Sequence, residues 1–191
     1  MSAAGSDRDQ RDLWRCSDWG RWSVTVAGIG VAGFACADAL AQLGARVTVV
    51  DAADGERQRE RAEILDVLDV RVLLGHDGPA PDGTDLLVVS PGLRPADPLI
   101  VDALGRGVPV WGELELAWRL RDPDRAAPWL CVTGTNGKTT TTLMLESILA
   151  AAGYRTASLG NIGRSLVDAV MHDDLDVLAI EVGAPQLPFV H

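Results

Sequence analysis

One short stretch concentrates residues able to do chemistry: Val132-Thr133-Gly134-Thr135-Asn136-Gly137-Lys138-Thr139-Thr140. An apolar run precedes it and a helix-forming run follows, so the loop falls between a strand and a helix N-terminus. The backbone amides of residues 134–138 can then cradle phosphate oxygens, helped by the positive end of the helix. Lys138 supplies a compact positive charge for the phosphates, and Thr139 a hydroxyl for Mg2+. The spacing is Gly-x-x-Gly-Lys-Thr. The longer phosphate-loop pattern requires glycine at 132, where valine stands. The competing interpretation is a Gly-Lys turn that holds nothing.

A second glycine-rich turn, Gly28-Ile29-Gly30-Val31-Ala32-Gly33, follows another apolar run, and Asp51 lies 18 residues beyond Gly33 at the end of the next one. Glycines there allow a tight turn and let a helix N-terminus approach an anion, while the acid is placed to hold a ribose hydroxyl. A nicotinamide or flavin dehydrogenase has the same local pattern. So has a turn whose glycines serve only helix–strand packing.

Other polar residues carry plainer expectations. His76 and His172 sit in polar stretches and are expected to be solvated. Asp173, Asp174 and Asp176 are expected to form a turn rather than a metal cluster. Trp111, Trp118 and Trp129 are assigned to packing. Cys16, Cys36 and Cys131 are too scattered for a disulfide framework or a zinc site, and are expected as reduced, mostly buried thiols.

The elements that must position these groups alternate. Strands are predicted at 23–29, 46–50, 70–74, 85–90, 109–111, 129–133, 155–158 and 177–182. Helices are predicted at 31–43, 56–68, 98–106, 113–121, 138–152 and 165–170. This rhythm predicts an α/β fold with a mainly parallel sheet. Two prolines and mixed charges at 122–128 mark a linker, dividing the chain into a tail (1–22), a Rossmann-like unit (23–121) and a second unit (129–191). The second has only three predicted strands, fewer than a doubly wound sheet, and the last is followed at once by the chain end. It is therefore expected to be incomplete.

With 47% hydrophobic and 23% charged residues, the chain is expected to fold as a globular protein. Its formal charge of −10 argues against binding nucleic acid or an anionic membrane surface. The longest uncharged apolar run, 24–37, is Gly-rich and shorter than the roughly 18 residues a membrane span needs. No membrane or nucleic-acid partner is expected, and the location expected is cytoplasmic.

The 134–140 loop resembles the ATP loop of the Mur ligases, which build the peptide of bacterial cell-wall precursors. A Rossmann-like unit before that loop resembles the members that add L-alanine and D-glutamate. Ser90-Pro91-Gly92, Gly112-Glu113-Leu114-Glu115 and Gly160-Asn161-Ile162-Gly163 resemble the D-glutamate-adding branch, and Asn136 stands where the L-alanine-adding branch has histidine. The resemblance implies a P-loop α/β central domain behind the Rossmann-like one. It also implies an ATP-dependent amide-bond ligase, monomeric when complete, acting on UDP-N-acetylmuramoyl-L-alanine and D-glutamate through an acyl phosphate. Gly134, Thr135, Asn136, Gly137, Lys138, Thr139 and Thr140 would bind ATP, with Lys138 catalytic. Thr139 and Glu181 would bind Mg2+. Gly28, Gly30, Gly33, Asp51, Ser90, Pro91, Gly92 and Asn161 would bind the UDP-sugar substrate.

Departures limit the carry-over. Glu181-Val-Gly-Ala-Pro-Gln186-Leu187 replaces the family's Glu-Leu-Ser-Ser-Phe-Gln-Leu, and Ala32 replaces a hydroxyl in the first turn. The family's later modified lysine, histidine and C-terminal domain have no counterpart in these 191 residues. The alternatives are a UDP-sugar- or nucleotide-binding fragment without turnover, and the L-alanine-adding ligase.

Overall fold

A computed structural model of the protein describes residues 13–122 and 124–191. Residues 1–12 of the expected tail and residue 123 of the expected linker lie outside the described residues.

The first sheet contains β1 (Ser23–Ala27), β2 (Arg46–Asp51), β3 (Arg71–Leu74), β4 (Leu86–Val89) and β5 (Val110–Gly112). They run parallel in the order β3-β2-β1-β4-β5. Parallel strands are covered on both faces, so their sequences read as continuous apolar runs, with side chains still alternating between faces. Val24, Val26, Val47, Val49, Leu86 and Val88 share one hydrophobic cluster with α1 (Val31–Gln42) and α4 (Glu113–Leu120). Ala27, Val50, Leu87 and Val89 point the other way, onto Leu99, Ile100 and Ala103 of α3 (Pro98–Gly105). α2 (Glu56–Asp66) follows β2 and buries only Leu65. The β3–β4 connection contains no helix, so the second face is covered by α3, joined by Phe189 near the end of the chain. A cavity of about 380 Å3 remains beside α3, at the ends of β1 and β2.

The second sheet is parallel in the order β6-β8-β7, from β6 (Trp129–Val132), β7 (Thr156–Gly160) and β8 (Val177–Glu181). All five residues of central β8 are buried. α5 (Lys138–Ala151) buries only Thr142 and leaves Leu143, Met144 and Ile148 exposed. α6 (Leu166–His172) packs against α1 and α4 of the first sheet.

One apolar cluster is continuous through both sheets, joining Leu40, Leu116 and Leu120 to Leu166, Val167, Leu178 and Ile180. Trp118 of α4 meets Trp129 of β6 edge-on at 5.1 Å, a contact worth about 0.5–1.5 kcal/mol beyond its buried area. Polar groups cross the same boundary. Glu113, 2% exposed at the start of α4, accepts hydrogen bonds at Oε1 from Ser165 Oγ (2.6 Å) and Leu166 N (2.9 Å). Its Oε2 is buried without a partner. Burial holds this carboxyl above the ordinary glutamate range, against the bonds from Ser165 and Leu166, which pull it down.

Several expectations are corrected. Within the tail assigned to 1–22, Leu13, Trp19 and Trp22 are buried, and the Trp19 indole donates to the Trp14 carbonyl (3.0 Å). β8 is followed by a 3-10 turn, Ala184–Phe189, that folds back to the first sheet, where Phe189 is buried beside Val110. Of the three cysteines, all free, only Cys36 is buried; Cys16 and Cys131 are exposed. Apart from these corrections, the Asp173–Asp176 stretch before the last strand is paired with arginines: Arg155 grips Asp174 (2.5 Å) and Asp176 (2.7 Å), and Arg164 pairs with Asp173.

The Glu113 environment fixes a pH dependence. Between the ordinary glutamate value and its raised value, the folded chain holds a proton that the unfolded chain has lost, so stability falls as pH rises through that window. The urea midpoint of the wild type minus that of Glu113→Gln is therefore expected to decline from about pH 4 upward and then level off. A pH-independent difference would show that the carboxyl titrates normally.

Candidate functional site

In a parallel sheet every strand ends on the same edge, and ligands gather in the crevice at the reversal of strand order. In the first sheet that reversal lies between β1 and β4. The turn after β1 is the 28–33 glycine turn, and the turn after β4 begins with Ser90. Their contact is close. A Cβ at Gly33 would sit 1.8 Å from the Gly28 carbonyl oxygen and 2.7 Å from Ser90 Oγ. Gly28 itself has φ +92°, and its carbonyl accepts from Ser90 Oγ at 3.3 Å. Gly30, in extended backbone, is the N-cap of α1 and has open space around it. The unpaired amides of the first turn of α1 therefore open toward the crevice, as an anion requires.

Asp51 ends β2 beside this turn, with both oxygens engaged by backbone. Oδ2 accepts from Ile29 N (2.8 Å) and Oδ1 from Ala53 N (2.8 Å). It braces the glycine turn and also lines the 380 Å3 cavity, together with Gly28, His76, Asp77 and Asp97. Pro91 and Gly92 shape a reverse turn closed by Leu93 N donating to Ser90 O (3.1 Å), and Ser90 is the member that touches the glycine turn.

The second sheet gathers the other predicted residues. The 134–137 loop follows β6, Asn161 follows β7 and Glu181 ends β8. Because β8 lies between the other two strands, Glu181 sits between the two loops. Its carboxylate, 4% exposed, accepts from Thr139 Oγ1 at 2.6 Å and from Asn161 Nδ2 at 3.4 Å. Its backbone carbonyl accepts from Asn161 N at 3.0 Å. Gly160 makes this possible: it has φ +93°, and a Cβ there would lie 2.5 Å from the Glu181 carbonyl oxygen.

Lys138 Nζ donates to the Gly134 carbonyl (2.9 Å), curling over its own loop. Gly134, Thr135, Asn136, Gly137, Thr139 and Thr140 are exposed around it. Thr142 Oγ1 donates back to the Lys138 carbonyl (2.9 Å), fixing the first turn of α5. Among the described residues no three His, Cys, Asp or Glu side chains gather as a metal group. The fit to a cation rests instead on a hydroxyl and a carboxylate oxygen 2.6 Å apart beside a phosphate-type loop. That donor set suits Mg2+, which takes one or two protein oxygens and fills its shell with water and phosphate.

Sequence reasoning missed four contributors. Arg61 of α2 donates to the Ile29 carbonyl (2.8 Å) and steadies the glycine turn. His76, expected to be solvated, is half-buried and lines the cavity with its Nε2 on the Pro79 carbonyl (2.8 Å). Glu113 and Ser165 line a further cavity of about 190 Å3 between the sheets, with Val31, Ala32 and Asn161. The only signal available for Glu113 was its place inside a quoted motif.

Two family models match the chain in succession. Residues 22–112 match a family model described as Mur ligase MurD-like, N-terminal domain, and residues 132–189 match one described as Mur ligase middle domain. The UDP-N-acetylmuramoylalanine--D-glutamate ligase of Streptomyces avermitilis is 55% identical over 172 residues, covering 90% of this chain and 37% of the relative. The protein of the same name from Streptomyces coelicolor is 56% identical over 167 residues, covering 86% and 36%. That from Frankia casuarinae is 50% identical over 174 residues, covering 91% and 36%. The chain thus spans little more than a third of the length of these curated relatives. Among the described residues no helix is long and apolar enough to cross a membrane.

The two α1 glycines make opposite predictions. Gly33→Ala must push apart the β1 turn and is expected to destabilise by about 1–3 kcal/mol, the range of overpacking. Gly30→Ala meets nothing within 4 Å and is expected to lie within about 1 kcal/mol of wild type, since alanine is only a weaker N-cap than glycine. Urea midpoints of both variants check the close approach. Equal midpoints would contradict it.

Proposed function

This chain belongs to the Mur ligase family, and we propose that it carries the UDP-sugar and ATP sites of an enzyme that joins D-glutamate to UDP-N-acetylmuramoyl-L-alanine. The observation that carries the proposal is the convergence of Thr139, Asn161 and Glu181 beside a phosphate-type loop, on a chain 55% identical to a ligase of that name. Residues 23–121 would hold the UDP-sugar and residues 129–191 the ATP.

In the proposed reaction the γ-phosphoryl group of ATP passes to the carboxylate of the L-alanyl residue, releasing ADP. The amine of D-glutamate then attacks the acyl carbon, an amide forms and phosphate leaves. The loop amides at 134–138 and Lys138 would hold the ATP phosphates, and Lys138 would exchange its Gly134 carbonyl for them. Thr139 and Glu181 would hold Mg2+, which when bound offsets charge on the transferring group. Asn161, fixed on Glu181, would reach the UDP-sugar from the second sheet. Gly28, Gly30, Gly33 and the start of α1 would take the diphosphate, bordered by Ser90, Pro91 and Gly92. The cavity at Asp51 and His76 would take the nucleoside end. Catalysis of this kind is positioning and electrostatics, with little covalent work by protein groups. The proposed location, in keeping with nucleotide substrates, is the cytoplasm.

Ligation is proposed for the longer protein, and nucleotide binding for these residues. Calorimetric titration of the chain with ATP·Mg2+ and, separately, with UDP-N-acetylmuramoyl-L-alanine is expected to show both binding. Lys138→Ala is expected to weaken ATP at least about tenfold, the scale of one charge-assisted contact, and to leave the UDP-sugar within about twofold. Loss of both ligands in that variant would refute separate sites. In the longer protein, phosphate release is expected to need ATP, the UDP-sugar and D-glutamate together. Release with UDP-N-acetylmuramate and L-alanine instead would reassign the substrate.

A further inference from the structure

Glu113 has no task in the scheme above, yet its placement is expensive. A carboxylate that is 2% exposed with one oxygen unpartnered lowers stability unless its bonds secure something else. Those bonds cross between the sheets. Ser165 Oγ and Leu166 N both donate to Oε1, so the carboxyl of α4 sits at the N-terminus of α6. One residue before Ser165, beyond Arg164, which bridges back to Leu159, lies the 160–163 turn. Its near end is tied to Glu181 through Asn161 N and Nδ2, and its far end is tied to Glu113 through Ser165 and Leu166. Across the 190 Å3 cavity from this turn are Val31 and Ala32, the first residues of α1.

We propose that Glu113 is a positioning residue: it holds the 160–163 turn, and with it Asn161, opposite the N-terminus of α1, so that a UDP-sugar on the glycine turn is gripped from both sheets. This rests on the UDP-sugar assignment made above. Glu113 acts through Ser165 and Leu166 and needs no contact with the ligand. The phosphate-type loop is tied to Glu181 through Thr139 and does not depend on Glu113. The two ligands therefore respond differently to its loss.

The test measures affinities of the chain for UDP-N-acetylmuramoyl-L-alanine and for ATP·Mg2+ by calorimetry, with the thermal midpoint of each variant alongside. Glu113→Ala and Ser165→Ala are expected to weaken the UDP-sugar about tenfold and ATP by less than about twofold. Glu113→Gln keeps an acceptor at Oε1 and is expected to stay within about threefold of wild type for both. Ser165→Ala removes one bond only and serves where Glu113→Ala does not fold. Three results would overturn the proposal: UDP-sugar affinity unchanged in both alanine variants, both ligands weakened alike in step with the thermal midpoint, or Glu113→Gln as weak as Glu113→Ala. A wild type that binds ATP but no UDP-sugar would instead overturn the substrate assignment on which it rests.

Discussion

Parallel strand pairing is the constraint on which the rest of this structure depends. It sends every strand end to one edge of its sheet, so residues far apart in sequence are delivered to one place without long loops. In the second sheet the order β6-β8-β7 sets Glu181 between the loops that follow its neighbours. A single carboxylate can then bond Thr139 on one side and Asn161 on the other. In the first sheet the same rule brings Ser90 against Gly28 and Gly33.

Both sites are held by backbone as much as by side chains. Asp51 spends its two oxygens on Ile29 and Ala53 amides, Arg61 takes the Ile29 carbonyl, and Lys138 rests on the Gly134 carbonyl. The Asp51 and Arg61 bonds fix the glycine turn in advance, which leaves less ordering for any binding event, whereas the Lys138 bond is one that binding under the proposed scheme would exchange. The glycines are the reverse of the same arrangement. Where backbone meets backbone at the distance seen between residues 33 and 28, a side chain has no room.

Much of this was legible from residue types. Val24, Val26, Val47, Val49, Leu86 and Val88 announce buried parallel strands, and glycines at 28, 33, 134 and 137 announce turns that open helices. Local pattern failed where the deciding partner is distant. Ala184–Phe189 contains two prolines and no period, and its turn forms where Phe189 finds Val110 across the chain. Trp19 and Trp22 lie in a polar segment whose apolar partners come from elsewhere. His76 looked solvated because its neighbours are polar, yet the helix-free β3–β4 connection carries it to the cavity. Cys131 sits in an apolar strand but on the sheet edge, so its side chain stays open. Glu113 stood in a quoted motif as an acid in the first turn of a helix, and the partners that take up its carboxyl, Ser165 and Leu166, lie 52 and 53 residues away in sequence.

The return of the last segment to the first sheet also bears on how the chain folds. His191 N donates to Glu115 Oε2 (2.9 Å) across 76 residues, and a His191 ring nitrogen meets the Val110 carbonyl (3.1 Å) across 81. Contacts of such separation are closed late, because the loop entropy must be met before they contribute. With Phe189 buried beside β5 and one apolar cluster running through both sheets, neither sheet keeps its native surroundings when the other melts. On this packing the two sheets are expected to melt as one cooperative unit rather than as two independently folding modules.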